Sequence, residues 1–356
     1  MKILFIQNSM DAGGVSKVNA ILANEFIRKN YKVEFLSFKK SSDSRFHVHS
    51  FNFKKYKVLE LFVSFFKLMF FLSGNKYDLI ISSSDLISLP VCLANSFYKN
   101  RLIVNSHTNV VEHLKSASTG KVLLYRFCGL AHRYATVVAN VSSGAVLASQ
   151  DFYKNINIIE LHNPVEPLVE RKISELKHEW FENNRVIVAC GRLTKSKNYE
   201  LMIDVMKLVA TRLSDVRLII LGDGELYESL SFKVKELKLE NYVCLLGKVN
   251  NPVDYMSSSE FLLHTSFYEG SPAVLLEAMS AGIPAVTTRF KSGAEEIIGN
   301  DVYGIISNSF KADDVFDSIL KMLEREKLPK SFYQNSVKQY SPVACCNSYL
   351  NSVGLS

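Results

Sequence analysis

A chain of 356 residues, 47% hydrophobic and 22% charged, is too long for one ordinary core and suits two folded domains. That composition excludes a disordered or collagen-like chain. The net charge of +7 is uneven: residues 1–165 hold 20 Lys and Arg against 10 Asp and Glu, and the remainder 22 against 25. The basic first part fits either scattered solvated lysines or a surface that docks on anionic lipid or an anionic acceptor. No RNA- or DNA-binding module accompanies the charge, so nucleic acid is not an expected partner.

In chain order, Met1-Lys2-Ile3-Leu4-Phe5-Ile6 turns polar at Gln7-Asn8-Ser9. That is too soon for a signal peptide, and the run reads as a buried strand over residues 2–7. An amphipathic helix over 15–28 follows, then strands over 32–37, 79–82, 102–106, 136–141 and 156–161. Residues 58–72, VLELFVSFFKLMFFL, carry Glu60 and Lys67 and fall short of the roughly 20 residues that a spanning helix needs. They predict a helix, buried or lying on a membrane surface. Lys54-Lys55-Tyr56-Lys57, directly before it, favours the membrane. Two prolines, many charges and no strand pattern mark a linker over 162–184.

The second half restarts with a strand over 185–190, then helix 199–213, strand 216–221, helix 225–238 and strand 243–246. Strand 261–264, helix 272–281, strand 285–287 and a helix over 311–326 complete it. This alternation implies two doubly wound, Rossmann-like parallel sheets, with a ligand cleft between them beyond the strands' carboxyl ends. The expected domains are 1–165 on the acceptor side and 166–340 on the donor side, a helix over about 341–356 returning to the first. The six cysteines (Cys92, Cys128, Cys190, Cys244, Cys345, Cys346) form no CxxC pair, which points to a reducing, cytoplasmic setting.

The strongest local signal runs from Ser266 to Met279, SFYEGSPAVLLEAM. Ser271 suits an N-cap and Pro272 a first helical position, leaving the N–H groups of Ala273, Val274 and Leu275 as an anion site. Gly270 lets backbone approach a ligand, and Glu277, about 9 Å further along the axis, falls within reach of a ribose. An ordinary capped helix ended by Gly282 and Pro284 is the plainer reading. Cys190-Gly191-Arg192-Leu193-Thr194-Lys195-Ser196-Lys197-Asn198 brings Arg192 and Lys197 to a strand's carboxyl end, either as phosphate ligands or as a solvated basic loop. Gly222-Asp223-Gly224-Glu225 is a turn signal. Gly13-Gly14 opens the first helix, either as a simple turn or facing phosphate, and His107 ends a strand.

Together, CGRLTKSKN, LGDGEL, LLGKV and the Glu-x7-Glu run from Glu269 to Glu277 resemble the retaining glycosyltransferases of the GT-B fold, the large group called family 4. The resemblance covers nearly the whole chain and is sharpest over 185–298. It implies that Arg192 and Lys197 hold a diphosphate, that Glu277 binds ribose hydroxyls, and that Glu269 faces the donor sugar and matters for turnover. It further implies sugar contacts from backbone at Gly270, Ser271 and Ala273, phosphate contacts at Val274 and Leu275, and reading of the base by main chain at Lys248-Val249. Gly13 and Gly14 would close over the donor from the first domain, Gly191 would count among the donor-binding residues, and His107 would lie near the transferred sugar.

Two positions depart from the family pattern: Ser16, where Glu or another polar residue is common, and Asn163-Pro164 in place of Asn-Gly. Both leave the donor half intact and leave the acceptor open. The expected activity is retaining, metal-independent transfer of a hexose or N-acetylhexosamine from a uridine diphosphate sugar, with no cofactor beyond that co-substrate. The expected acceptor is a hydroxyl of a lipid-linked or polysaccharide intermediate of lipopolysaccharide or capsule type, at the inner face of the cytoplasmic membrane. A sugar-nucleotide epimerase on the same fold and a non-catalytic sugar-nucleotide- or lipid-binding partner remain the alternatives.

Overall fold

The structure is a computed structural model describing residues 1–10, 13–41, 43–53, 58–115, 117–166, 178–269, 272–290 and 293–355. The chain divides into two compact units, one made of 1–164 with 340–356 and one of 165–339. Lys54-Lys55-Tyr56-Lys57, Gly270, Ser271 and part of the expected linker lie outside the described residues.

The first unit is a seven-stranded parallel sheet of β1 (Lys2–Gln7), β2 (Lys32–Ser37), β3 (His47–Ser50), β4 (Leu79–Ser82), β5 (Arg101–Ser106), β6 (Val137–Asn140) and β7 (Ile158–Glu160). The spatial order is 3-2-1-4-5-6-7. Its helices are α1 (Gly14–Arg28), α2 (Val58–Ser73), α3 (Asp85–Tyr98), α4 (Val110–Leu114), α5 (Thr119–Ala131) and α6 (Ser143–Tyr153). Successive strand residues point to opposite faces, and both faces here are covered, so the inner strands bury apolar residues on both sides. Ile3 and Phe5 pack with Leu22 and Phe26 of α1, whereas Leu4 and Ile6 pack with Leu68 of α2 and Val91 of α3. The strand β3 was not foreseen: His47-Val48-His49-Ser50 has one apolar residue, and this half-buried edge needs no more. The helix α3 was also missed, since Pro90 sits within it.

The second unit opens with α7 (Trp180–Asn183) and holds β8 (Arg185–Cys190), β9 (Val216–Leu221), β10 (Val243–Gly247), β11 (Phe261–His264), β12 (Ala285–Thr288) and β13 (Gly304–Ser307). All pair in parallel in the order 10-9-8-11-12-13. Its helices are α8 (Tyr199–Arg212), α9 (Tyr227–Glu236), α10 (Pro252–Ser257), α11 (Ala273–Ser280), α12 (Ala294–Ile298), α13 (Ala312–Glu324) and α14 (Lys330–Ser336). Met202, Val205, Met206 and Val209 of α8 form a stripe that joins Val315 and Ile319 of α13 on one face of the sheet.

The last helix, α15 (Pro342–Ser352), belongs to the first unit. It is capped by the Ser341 side chain and buries Cys345, Cys346 and Tyr349 against the β1 and α1 core. The Asn105 side chain donates to the Tyr349 hydroxyl, and Arg101 donates to the Val353 carbonyl. Among the described residues, no helix is long and apolar enough to cross a membrane.

Candidate active site

In the second sheet the chain order turns back between β8 and β11, the kind of switch point at which doubly wound sheets bind ligands. Two segments leave the sheet there, 191–198 after β8 and 265–269 after β11.

The first loop is built backbone to backbone. A Cβ on Gly222 would stand 1.9 Å from the Gly191 carbonyl oxygen, so this turn tolerates no side chain. Leu193 N–H donates to the Asp223 carbonyl at 3.0 Å, and Leu226 N–H donates to the Leu193 carbonyl at 3.1 Å. The Gly222-Asp223-Gly224 turn therefore supports the loop that carries Arg192 and Lys197, a role that its sequence alone did not disclose. Residues Lys195–Lys197 form a 3-10 turn, which Asn198 ends in the left-handed region before α8 begins.

The second loop is tied to the first. Phe267 N–H donates to the Ser196 carbonyl at 2.9 Å, and the Thr265 hydroxyl is shared between the carbonyls of Asn198 (2.8 Å) and Lys197 (3.2 Å). These bonds set Lys197 Nζ against Glu269 Oε1. The same carboxylate oxygen accepts from Ser266 Oγ at 2.7 Å and from His264 Nε2 at 3.1 Å. His264 is buried, and its Nδ1 lies 3.1 Å from Thr287 Oγ1. One tautomer satisfies the set, with Nε2–H donating to Glu269 and Nδ1 accepting from Thr287.

Burial alone would push the Glu269 carboxyl up, but the His264 bond and the Lys197 charge outweigh it and hold the group down at about 2. Burial lowers the His264 pKa, which keeps the ring neutral at pH 7. Glu269 is thus a fixed, fully ionised carboxylate. Sequence reasoning passed over His264 and Ser266; a histidine closing a strand five residues before the glutamate was the available signal, as with His107.

Arg192 is exposed and forms no ion pair among the described residues. The helix α11 begins at Ala273 with Pro272 at its cap position, one residue later than expected. The Leu275 N–H donates to the Pro272 carbonyl at 2.9 Å, so it is not a free donor as the sequence reading had it. Ala273 and Val274 precede that first bond, and neither N–H has a backbone partner among the described residues. Glu277 is half-buried, four residues on from Ala273 and so about 6 Å along the axis. Lys248 is exposed and Val249 half-buried after β10, where the Gly247 carbonyl accepts from Gly222 N–H at 2.8 Å.

In the first unit, Gly13 is extended and its carbonyl accepts the Lys17 N–H at 3.0 Å, while a Cβ on Gly14 would meet nothing within 4 Å. Ser16 Oγ donates to the Ser9 carbonyl at 2.8 Å. His107 follows β5; burial lowers its pKa to about 4, and its buried Nε2 has no hydrogen-bond partner among the described residues. Buried Asp85 stands at the start of α3 and accepts from Thr108 Oγ1 at 3.1 Å.

Residues 170–339 match the sequence model of the family described as Glycosyl transferases group 1. Over 155 residues the chain is 39% identical to an N-acetylgalactosaminyltransferase of Campylobacter jejuni that acts on N-acetylgalactosamine-N,N'-diacetylbacillosaminyl-diphospho-undecaprenol, a match covering 44% of this chain and 41% of that one. It is 27% identical over 349 residues to the amylovoran biosynthesis glycosyltransferase AmsD of Erwinia amylovora, covering 96% and 95%. Its fold is that of Anabaena HepE, solved with UDP and glucose (TM-score 0.83, 20% identity, 99% of each chain). The lipopolysaccharide outer core galactosyltransferase WaaB also shares it (TM-score 0.77, 20% identity, 99% of each chain). Two parallel Rossmann-like sheets and these likenesses agree: the chain has the GT-B fold, and its residues 170–339 carry the sequence pattern of the group 1 glycosyltransferases.

Proposed function

We propose that the enzyme transfers a hexose or N-acetylhexosamine, with retention, from a uridine diphosphate sugar to a hydroxyl of a lipid-linked or polysaccharide acceptor during cell-surface polysaccharide assembly on the cytoplasmic side. The observation that carries the donor half is the meeting of Lys197 with Glu269 at the switch point, next to the start of α11. The activities named for the Campylobacter and Erwinia relatives support the acceptor class.

In this reading Arg192 and Lys197 take the two phosphates, and the N–H groups of Ala273 and Val274 add the positive end of a helix. These groups offset charge as the diphosphate departs, which is electrostatic stabilisation without a resident metal. Glu277 accepts from ribose hydroxyls, and main chain at Lys248-Val249 meets the base. Glu269, fixed by His264 and Ser266, accepts from donor-sugar hydroxyls. For Gly13, Gly14 and His107 of the first unit, the family resemblance implies roles toward the sugar, neutral His107 offering a hydrogen bond rather than a charge. No side chain is assigned as a nucleophile.

A thermal-shift panel of nucleotide sugars tests the donor, since a ligand at a hundredfold its Kd adds about 2.7 kcal/mol of apparent stability. No shift with any uridine sugar removes the donor reading. Incubation with labelled acceptor extracts, with and without chelator, followed by assignment of the anomeric configuration, tests acceptor, metal independence and retention.

A further inference from the structure

The helices α2, α3 and α5 cover one face of the first sheet, and their outer side is strongly apolar. Phe62, Phe66 and Phe70 recur every fourth residue on α2, so they share one helix face. They are 65%, 57% and 85% exposed. Phe97 of α3 and Leu123, Phe127 and Leu130 of α5 are exposed as well. A groove of about 500 Å3 joins the three helices, lined by Phe62, Phe65, Leu93, Phe97, Leu124 and Tyr134. A second, between α5 and α6, is lined by Leu123, Phe127 and Leu130. Solvated monomers rarely leave an apolar surface this continuous without a use for it. The inner sides of α2 and α3 already supply the core through Leu68, Leu72, Ile87 and Val91, and Phe62, Phe66, Phe70 and Phe97 lie outside it.

The charges among these aromatics decide what covers them. Lys67 shares a groove with Phe66 and Phe70, and Arg126 and Lys154 line the one beside Phe127. Arg133, just past α5, is exposed too. Glu60 in the first turn of α2 and Asp151 beside Lys154 are the acidic groups close by. Apposing this face to a second copy would set cation against cation. An anionic bilayer supplies both halves of the match, phosphate for the cations and acyl chains for the rings. The helix α2 spans 16 residues, about 24 Å, so it lies along a bilayer rather than through it.

We propose that the α2–α3–α5 face of the first unit docks on an anionic lipid bilayer, the phenylalanines entering the headgroup–acyl boundary and Lys67, Arg126, Arg133 and Lys154 meeting lipid phosphates. This surface is independent of the donor reading, so either stands if the other fails.

The test is co-sedimentation of the full chain with vesicles of phosphatidylcholine alone or with about 30% phosphatidylglycerol. The wild type is expected to bind the anionic vesicles at least about tenfold more tightly. Two variants, Phe62→Ser/Phe66→Ser/Phe70→Ser and Lys67→Glu/Arg126→Glu/Arg133→Glu, are each expected to lose about tenfold while keeping the wild-type melting temperature. In a Trp180→Phe background, which removes the single native tryptophan, Phe66→Trp is expected to blue-shift on binding and to be quenched by brominated acyl chains. Equal binding to both vesicle types, undiminished binding by the charge variant, or an unquenched Trp at 66 overturns the proposal. So does a dimeric wild type that the serine variant converts to monomer, which would make this face an interface between copies.

Discussion

Lys197 and Glu269 neutralise each other across two loops. Under the proposed donor reading, a donor that takes up both groups has to exchange this bond for its own. The pair would then couple phosphate recognition to sugar recognition.

Breaking this half-buried pair from one side leaves an uncompensated charge. Lys197→Met or Glu269→Gln alone should destabilise the ligand-free protein by about 3 kcal/mol, and the double variant should cost less than the sum of the two. Urea unfolding of the four proteins measures the coupling. Additive losses would mean that the contact contributes nothing. Turnover should fall about a hundredfold or more in Glu269→Ala, and unchanged turnover would remove its role.

The pH dependence follows from the depressed Glu269 pKa of about 2 against an ordinary value of 4.5. Its stabilisation is fully present above the unfolded value and is lost as pH falls toward the folded one. The stability gap between wild type and Glu269→Gln should therefore be constant from pH 7 to about 5. It should shrink by about 1.4 kcal/mol per unit below pH 4.5. A gap that does not change down to pH 3 would contradict the ionised, buried carboxylate.

If Glu269 meets the donor sugar as proposed, His264 acts through it as a positioning residue. His264→Ala should lower kcat by about tenfold to a hundredfold with a smaller change in donor KM, and His264→Gln should restore part of it through its amide N–H. A loss confined to KM would place His264 at the ligand instead.

Arg192 is exposed, so Arg192→Ala should leave the melting temperature alone and weaken UDP binding by about tenfold or more, measured by calorimetry. Arg192→Lys should recover part of that affinity. Unchanged UDP affinity in Arg192→Ala would remove its phosphate role.

Gly222 and Gly14 separate a structural glycine from one free to serve the ligand. Gly222→Ala drives Cβ into the Gly191 carbonyl at a positive φ of 139°, which should cost about 2 kcal/mol or more and disturb the Arg192 loop. Gly14→Ala meets nothing within 4 Å, so folding should be unchanged and a fall in turnover would report on the donor. Melting curves beside turnover distinguish the two.

Much of this was legible because helices and buried strands announce themselves by period. All strands of the second unit except β13 were read within a few residues, since each is a short apolar run before a glycine or polar turn. The strand β3 escaped because an edge strand with His47 and His49 lacks that signal, and β13 because Gly304-Ile305-Ile306-Ser307 is too short to separate from a loop. At the site, Lys197 and Glu269 were each legible from their motifs. Their contact was not, because 72 residues separate them and it takes the pairing of β8 with β11 and the Thr265 and Phe267 bonds to bring them together. The Leu275 N–H was misjudged because whether a helix starts at Pro272 or Ala273 depends on a cap dihedral that no residue type fixes.

The return of α15 to the first unit also sets an order for biogenesis. Residues 165–339 leave the ribosome as an uninterrupted unit, whereas the β1 and α1 core stays open until Tyr349 and its neighbours are synthesised. During translation the donor-side unit can close first, while the earlier-made unit waits with Phe5, Leu22 and Phe26 lacking their last cover. A stalled or shortened chain therefore exposes the first unit's core and spares the second's, which makes the far end of the chain the quality checkpoint for its beginning.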